Sequence, residues 1–230
     1  MKRVILLSLT LLALTGCFLK SVNPLVTTDT AIVLDGLHNT WQSDDQRWTF
    51  INNPVSLPQV AVQGSSFTGS IGLEAGGGST IFDDENIYLV ILEDLQDTSA
   101  DSTLFIGYVG DFEGDYFLDL SLLNMGANKN AFESAHLLPV HSFSKVSLEK
   151  DELAIEFFKD QWIKEQIIDN RVRIKHERVE GGLEGGPFDD DVSILITADT
   201  PELQQFVLKY KSDERAFEDA IELKKVVNEI

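Results

Sequence analysis

Apolar residues in this chain recur mostly at every second position, the period of strands with one buried face. Phe67, Gly69, Ile71 and Leu73 alternate with Thr68, Ser70 and Gly72, and Leu153, Ile155 and Phe157 with Ala154 and Glu156. Val172, Ile174 and His176 alternate with Arg173 and Lys175, and Val192, Ile194 and Ile196 with Ser193 and Leu195. The continuous apolar run from Ile87 to Leu92 predicts a strand buried on both faces. Leu104 to Val109 and Tyr116 to Leu120 predict two more strands, joined by a hairpin loop over Gly110 to Asp115 whose two glycines accept positive φ.

A helical period replaces this alternation towards the C-terminus. Asp160 is placed to cap a short helix carrying Trp162, Ile163 and Ile167 and ending near Asn170. Thr200-Pro201 opens a second, with Leu203, Phe206, Val207 and Tyr210 along one face. Ser212 opens a third, with Asp213 and Glu214 in its first turn, Lys224 and Lys225 in its last, and an apolar stripe of Ala216, Phe217, Ala220 and Ile221. Many short strands followed by a few helices predict a mainly antiparallel α+β domain, or a small β-barrel with C-terminal helices. Two glycine-rich stretches, Glu74 to Ser79 and Gly181 to Pro187, read as connectors.

The N-terminus follows neither period. Met1-Lys2-Arg3 gives a positive start, and Val4 to Leu14 is apolar except for Ser8 and Thr10, a stretch that suits a signal-peptide core and is short for a bilayer span. It ends in Leu14-Thr15-Gly16-Cys17, which resembles the lipobox of bacterial lipoproteins. The resemblance implies a signal peptide over residues 1–16, diacylglyceryl and palmitate-type acyl chains on Cys17, and the lipid bilayer as the partner that holds the protein. Phe18 after the cysteine, in place of Asp, resembles the outer-membrane sorting default and implies a cell outer membrane location facing the periplasm. Residues 17–30 contain Pro24, several Thr and Ser and no period, and read as a tether; residues 31–230 read as one mainly-β domain with a helical C-terminal part.

Charge narrows the partners. The whole chain has 18 Lys and Arg against 38 Asp and Glu, a net −20, and loss of Lys2 and Arg3 with the leader takes residues 17–230 to −22. Such a chain lacks the basic residues that neutralise nucleic-acid phosphates, and it has no polybasic patch for an anionic lipid surface. Cys17 is the one cysteine, and acylation would consume it, which removes thiol nucleophiles, thiolate metal sites and disulfides from consideration.

Three groups of residues could carry chemistry. Leu37-His38-Asn39-Thr40-Trp41, with Trp48 shortly after, resembles the opening of small bacterial lipocalin-like barrels, where a tryptophan near the first strand plugs the barrel floor; Asn39 stands where glycine is usual. That resemblance suits a barrel with an apolar pocket, and Trp41, Trp48, Phe67, Phe105, Tyr108 and Phe117 are its candidate lining, or equally a filled core. His136-Leu137-Leu138-Pro139-Val140-His141, with Trp162 and Thr197 to Gln204, resembles an uncharacterised group of bacterial lipoproteins; that implies membership and no mechanism. On a segment bent at Pro139 the two histidines could converge as acid and base or on a metal, with no third ligand in view. The acidic clusters at Asp83 to Glu85, Asp111 to Asp115 and Asp189 to Asp191 read as solvated loops, the middle one with a calcium-loop spacing but no downstream Glu.

Neither a G-x-S-x-G elbow nor H-E-x-x-H, a phosphate-cradling loop or a dinucleotide fingerprint is present. The reading is therefore a non-enzymatic, lipid-anchored envelope protein with no cofactor, binding an apolar small molecule in a pocket. The alternatives are an envelope interaction or assembly protein, and a hydrolase or metal-dependent enzyme using His136 and His141.

Overall fold

The computed structural model describes residues 18–52, 85–97, 102–123, 140–180 and 192–227. Two short strands, β1 (Lys20–Ser21) and β2 (Ala31–Ile32), precede a meander of longer ones. The meander comprises β3 (Thr40–Gln42), β4 (Gln46–Asn52), β5 (Tyr88–Asp94), β6 (Thr103–Phe112), β7 (Asp115–Leu122), β8 (His141–Glu149) and β9 (Glu152–Phe157). Each pairs antiparallel with the next. The chain then leaves through α1 (Asp160–Ile168), β10 (His176–Glu180), β11 (Val192–Ile196) and α2 (Thr200–Tyr210). It returns as β12 (Ile221–Lys225), antiparallel to both β9 and β3, and so closes an eight-stranded barrel. A closed ring leaves no long sheet edge among these strands. The expected α+β, mainly antiparallel barrel with later helices is the fold of the protein.

Alternation decides which side chains fill the ring. Trp41, Trp48, Phe50, Tyr88, Val90, Val109, Leu118, Val146, Ile155 and Leu223 belong to one buried core, and their register partners across each ladder share its face. A second core lies outside the ring, where Phe117 and Phe143 on β7 and β8 meet Trp162 of α1, Phe206 of α2 and Phe217. Phe158 is its hub, with ring centroids 5.5 Å from Phe143, 5.4 Å from Phe206 and 4.3 Å from Phe217. Beyond the barrel, β8 forks: His141 and Ser142 pair with β1, and Ser144 to Glu149 with β9. From the fork, β1 runs parallel to β11, which carries β10 on its far side.

Several expectations need correction. The third helix does not form. Asp213 accepts the Arg215 N–H and caps only a 3-10 turn, Glu214–Ala216, and the next residues extend into β12, whose Leu223 enters the barrel core. The apolar residues from Ala216 to Ile221 fit a helical stripe, but the barrel needed an eighth strand, and tertiary pairing prevailed over local period. No strand covers Val172 to Lys175; Arg171 and Val172 N–H groups both bond Gln166 O and finish α1, Asn170 taking a φ of 57°. The cap of α2 is Asp199, which accepts the Glu202 N–H at 3.0 Å, so the helix begins one residue before Pro201 rather than being capped by Thr200.

The stretch read as a tether is instead part of the domain. Leu19, Leu25 and Val26 are at most 1 % exposed, and Lys20 and Ser21 form β1. Its apolar residues are too widely spaced to show a period, yet Leu19, Leu25 and Val26 all join the second core. The strand expected at Phe67 to Leu73 and both glycine-rich connectors lie outside the described residues.

Candidate functional site

A buried carboxylate joins the N-terminal segment to the barrel. Asp119 sits on the outer face of β7, paired in register with Phe143, and is 2 % exposed. Its Oδ2 accepts the backbone N–H groups of Leu25 at 2.6 Å and Val26 at 3.1 Å. Its Oδ1 lies 2.8 Å from His141 Nδ1. A buried carboxylate is tolerable only with such partners, and here it satisfies two donors that no ladder reaches. Ser21 is the register neighbour of His141, but its hydroxyl donates to Ile196 O at 3.4 Å and accepts Asn23 N–H at 3.2 Å. The Ser21 hydroxyl is thus committed to the backbone and not to this histidine. His136 lies outside the described residues. Among the described residues no group of three or more His, Cys, Asp or Glu is placed to hold a metal ion. The pair Asp119 and His141 acts as a clamp.

The acidic hairpin is a second clamp. Glu113 and Gly114 form a tight two-residue turn with φ of 58° and 88°, and Asp111 Oδ1 accepts the Gly114 N–H at 2.7 Å. The six-residue loop expected there is thus mostly strand. Asp115 lies 2.9 Å from Lys145 Nζ and 2.9 Å from Lys211 Nζ. Lys211, the C-terminal residue after α2, also donates to Phe112 O at 2.7 Å. Hydrogen bonds from both lysines hold the Asp115 carboxyl below the ordinary aspartate range. The same ion pair raises Lys211. The oxygens that a calcium loop would offer are committed to lysines and to the turn.

The six residues expected to line one pocket do not converge. Trp41, Trp48 and Phe105 belong to the barrel core. Phe117 and Tyr108 point to the opposite side of their strands and belong to the outer core. Phe67 lies outside the described residues. Parity along a strand decides this: Tyr108 and Phe117 are register partners of Asp119 and Gly110, on the outer face. Inside the ring, packing is close. A Cβ on Gly107 would come 3.0 Å from Val90 Cγ2 and 3.3 Å from Leu120 Cδ2. Eight strands make a lumen that side chains can fill, and around Gly107 the described side chains do so. Trp41 donates its indole N–H to Leu37 O at 3.0 Å, and Lys225 Nζ stands 6.0 Å from the Trp41 ring.

An open cleft lies on the outer surface instead. It is about 780 Å³ in volume and runs over β8, β9 and β12, walled by the turn between β3 and β4. Ser147, Ala154, Gln42 and Leu223 line it, together with the acids Asp44, Glu149, Glu152 and Glu222 and the bases Lys224 and Lys225. The cleft marks the thinnest seam of the ring. β12 pairs with β9 through Ile221 to Lys224, and with β3 at Lys224 and Lys225, continued by the Val226 N–H to Thr40 O at 2.9 Å. Strand alternation then turns the Glu222 backbone N–H and C=O towards the cleft rather than towards β9. Sequence reasoning missed Asp119, Lys211 and this cleft. Asp119 left a trace, as the lone acid in the apolar run from Tyr116 to Leu120.

Comparisons add nothing to this geometry: no protein-family model, no curated protein and no solved structure matches the chain.

Proposed function

We propose that this is a non-enzymatic lipoprotein of the cell envelope, anchored by acylated Cys17 in the outer membrane on its periplasmic side, that docks a partner protein through the cleft at the β12–β3 seam. The leader ending in Leu14-Thr15-Gly16-Cys17 supports the anchor. The observation that carries the docking role is the open cleft over β8, β9 and β12, where Glu222 of β12 lies beyond the last β3 pair. Around Gly107 the described lumen side chains are in close contact, which supports a filled interior over an apolar pocket. An extended segment, in contrast, can add to a strand through its backbone. Four carboxylates against two lysines in the lining favour a basic segment. No helix among the described residues is long and apolar enough to cross a membrane.

A photo-crosslinking residue in place of Ala154, in cells of the source bacterium, tests this reading. The expected result is an adduct whose mass-mapped site is an extended basic segment, lost when Glu152 and Glu222 are both changed to Lys. Adducts indifferent to that reversal, or none, would reject the cleft. Native mass spectrometry on the Cys17→Ser protein completes the test. Extra mass that organic extraction removes would restore the apolar-carrier reading.

A further inference from the structure

The fold leaves no leash between the proposed lipid and the domain. Phe18 forms an antiparallel bridge with Lys159, and its ring centroid is 4.3 Å from that of Phe157. Leu19 donates its N–H to Phe158 O at 3.3 Å and is 1 % exposed. From there inward the segment is held by β1 pairing on both sides and by the Asp119 clamp on Leu25 and Val26. Cys17 is one peptide bond from Phe18, so its Cα lies about 3.8 Å from an ordered one. Acyl chains on Cys17 begin in the membrane interface, and a body attached that closely has no length in which to tumble.

Resting on the anchor proposed above, we infer that the domain is seated on the bilayer in one fixed orientation, with the mouth of the β8–β9 fork against the phospholipid headgroups. The residues around that mouth suit such a surface. Exposed Lys20 follows Phe18 by two positions, and Lys159, its bridge partner, is a part-exposed base 3.5 Å from Glu218. Lys20 and the Glu218-paired Lys159 make a small basic spot rather than a polybasic patch, sufficient to meet headgroup phosphates once the acyl chains hold the domain there. The other end of the same hairpin points away. From Ser144↔Phe157 at the fork to Glu149↔Glu152 at the tip, β8 rises five residues, about 17 Å at strand spacing. Glu149 and Glu152 line the cleft, and Lys150 beyond them is 92 % exposed. The fixed seat therefore holds the cleft off the membrane, open to the periplasm.

Lysine acetylation kinetics, read residue by residue by mass spectrometry, test the seat on protein purified from its own membrane and reconstituted in phosphatidylethanolamine–phosphatidylglycerol vesicles. The reference is the soluble Cys17→Ser protein. Lys20 and Lys159 are expected to react several-fold more slowly on vesicles, with Lys150 and Lys224 unchanged. A Gly-Ser linker of about twelve residues between Cys17 and Phe18, spanning roughly 20 Å, should restore the fast rates. Equal rates at Lys20 and Lys159 on vesicles and in solution would overturn the seat, as would slowing at Lys150 or Lys224. The intact mass of the purified protein separates the two readings. If Cys17 carries no diacylglyceryl group, the anchor reading fails by itself, and the seat is then tested with the same chain coupled through Cys17 to a maleimide lipid.

Discussion

Asp119 accepts the Leu25 N–H at 2.6 Å across 94 positions of chain, and this contact helps to tie the N-terminal segment to the barrel wall. The same Oδ2 serves Val26, so both donors lose their acceptor together if the carboxylate is removed. Asp119→Ala should cost about 2–5 kcal/mol, since it strands two buried N–H groups and the His141 ring. Denaturant unfolding measures the total. Amide hydrogen exchange gives the sharper check, because Leu25 and Val26 should lose protection ahead of the barrel strands. Unchanged protection at those two amides would show that the segment is held by apolar packing alone.

The barrel was legible in the sequence because its signal is local. Strands such as β9, with Leu153, Ile155 and Phe157 inward, declare both their period and their buried face. What stayed hidden depends on contacts distant in sequence. Residues 18–30 carry no period, since Leu19, Leu25 and Val26 each fill a separate gap in the outer core. β12 reads as the end of a helix until the ring around it is known, because only β3 and β9, more than 60 positions earlier, make it a strand. The pocket residues failed for a related reason. Aromatic content says that Tyr108 and Phe117 are buried, and only register says on which side.

Asp115 gives the protein a predictable acid dependence. Its carboxyl is held low by Lys145 and Lys211, so its folded value lies below the unfolded one of about 3.9. The contribution is therefore fully present above that unfolded value and is lost as pH falls through the folded value. In Asp115→Asn that dependence disappears. The urea midpoints of wild type and variant should differ most at neutral pH, and the gap should begin to shrink as pH drops from about 5 towards about 3. A constant gap across that range would mean that the two lysines do not bias the carboxyl.

Close packing around Gly107 makes a prediction about that residue. Its position faces Val90 and Leu120, and an added methyl would meet atoms at 3.0 and 3.3 Å. Gly107→Ala should destabilise by about 1–3 kcal/mol, the usual cost of overpacking a filled core. A lumen able to hold a ligand would absorb the methyl without loss. Thermal unfolding of the variant, run with a fluorescent fatty acid present for both proteins, reads packing and binding together. The expected outcome is a lower Tm and no dye uptake in either.

β12 is the strand on which closure depends, because among the described residues it alone joins β9 to β3. Removing residues 220–230 would leave the facing edges of β9 and β3 unpaired and take Leu223 out of the core, where it is 1 % exposed. Leu223→Ala separates the two effects. It keeps the strand backbone and creates only a cavity, with an expected loss of about 2–5 kcal/mol and a monomer that still folds. The truncated chain should instead associate through its open edges, which size-exclusion chromatography with light scattering would detect as dimers and larger species. A monomeric truncated chain with its near-ultraviolet circular dichroism intact would show that the seven-strand meander is stable by itself and that the return strand only covers it.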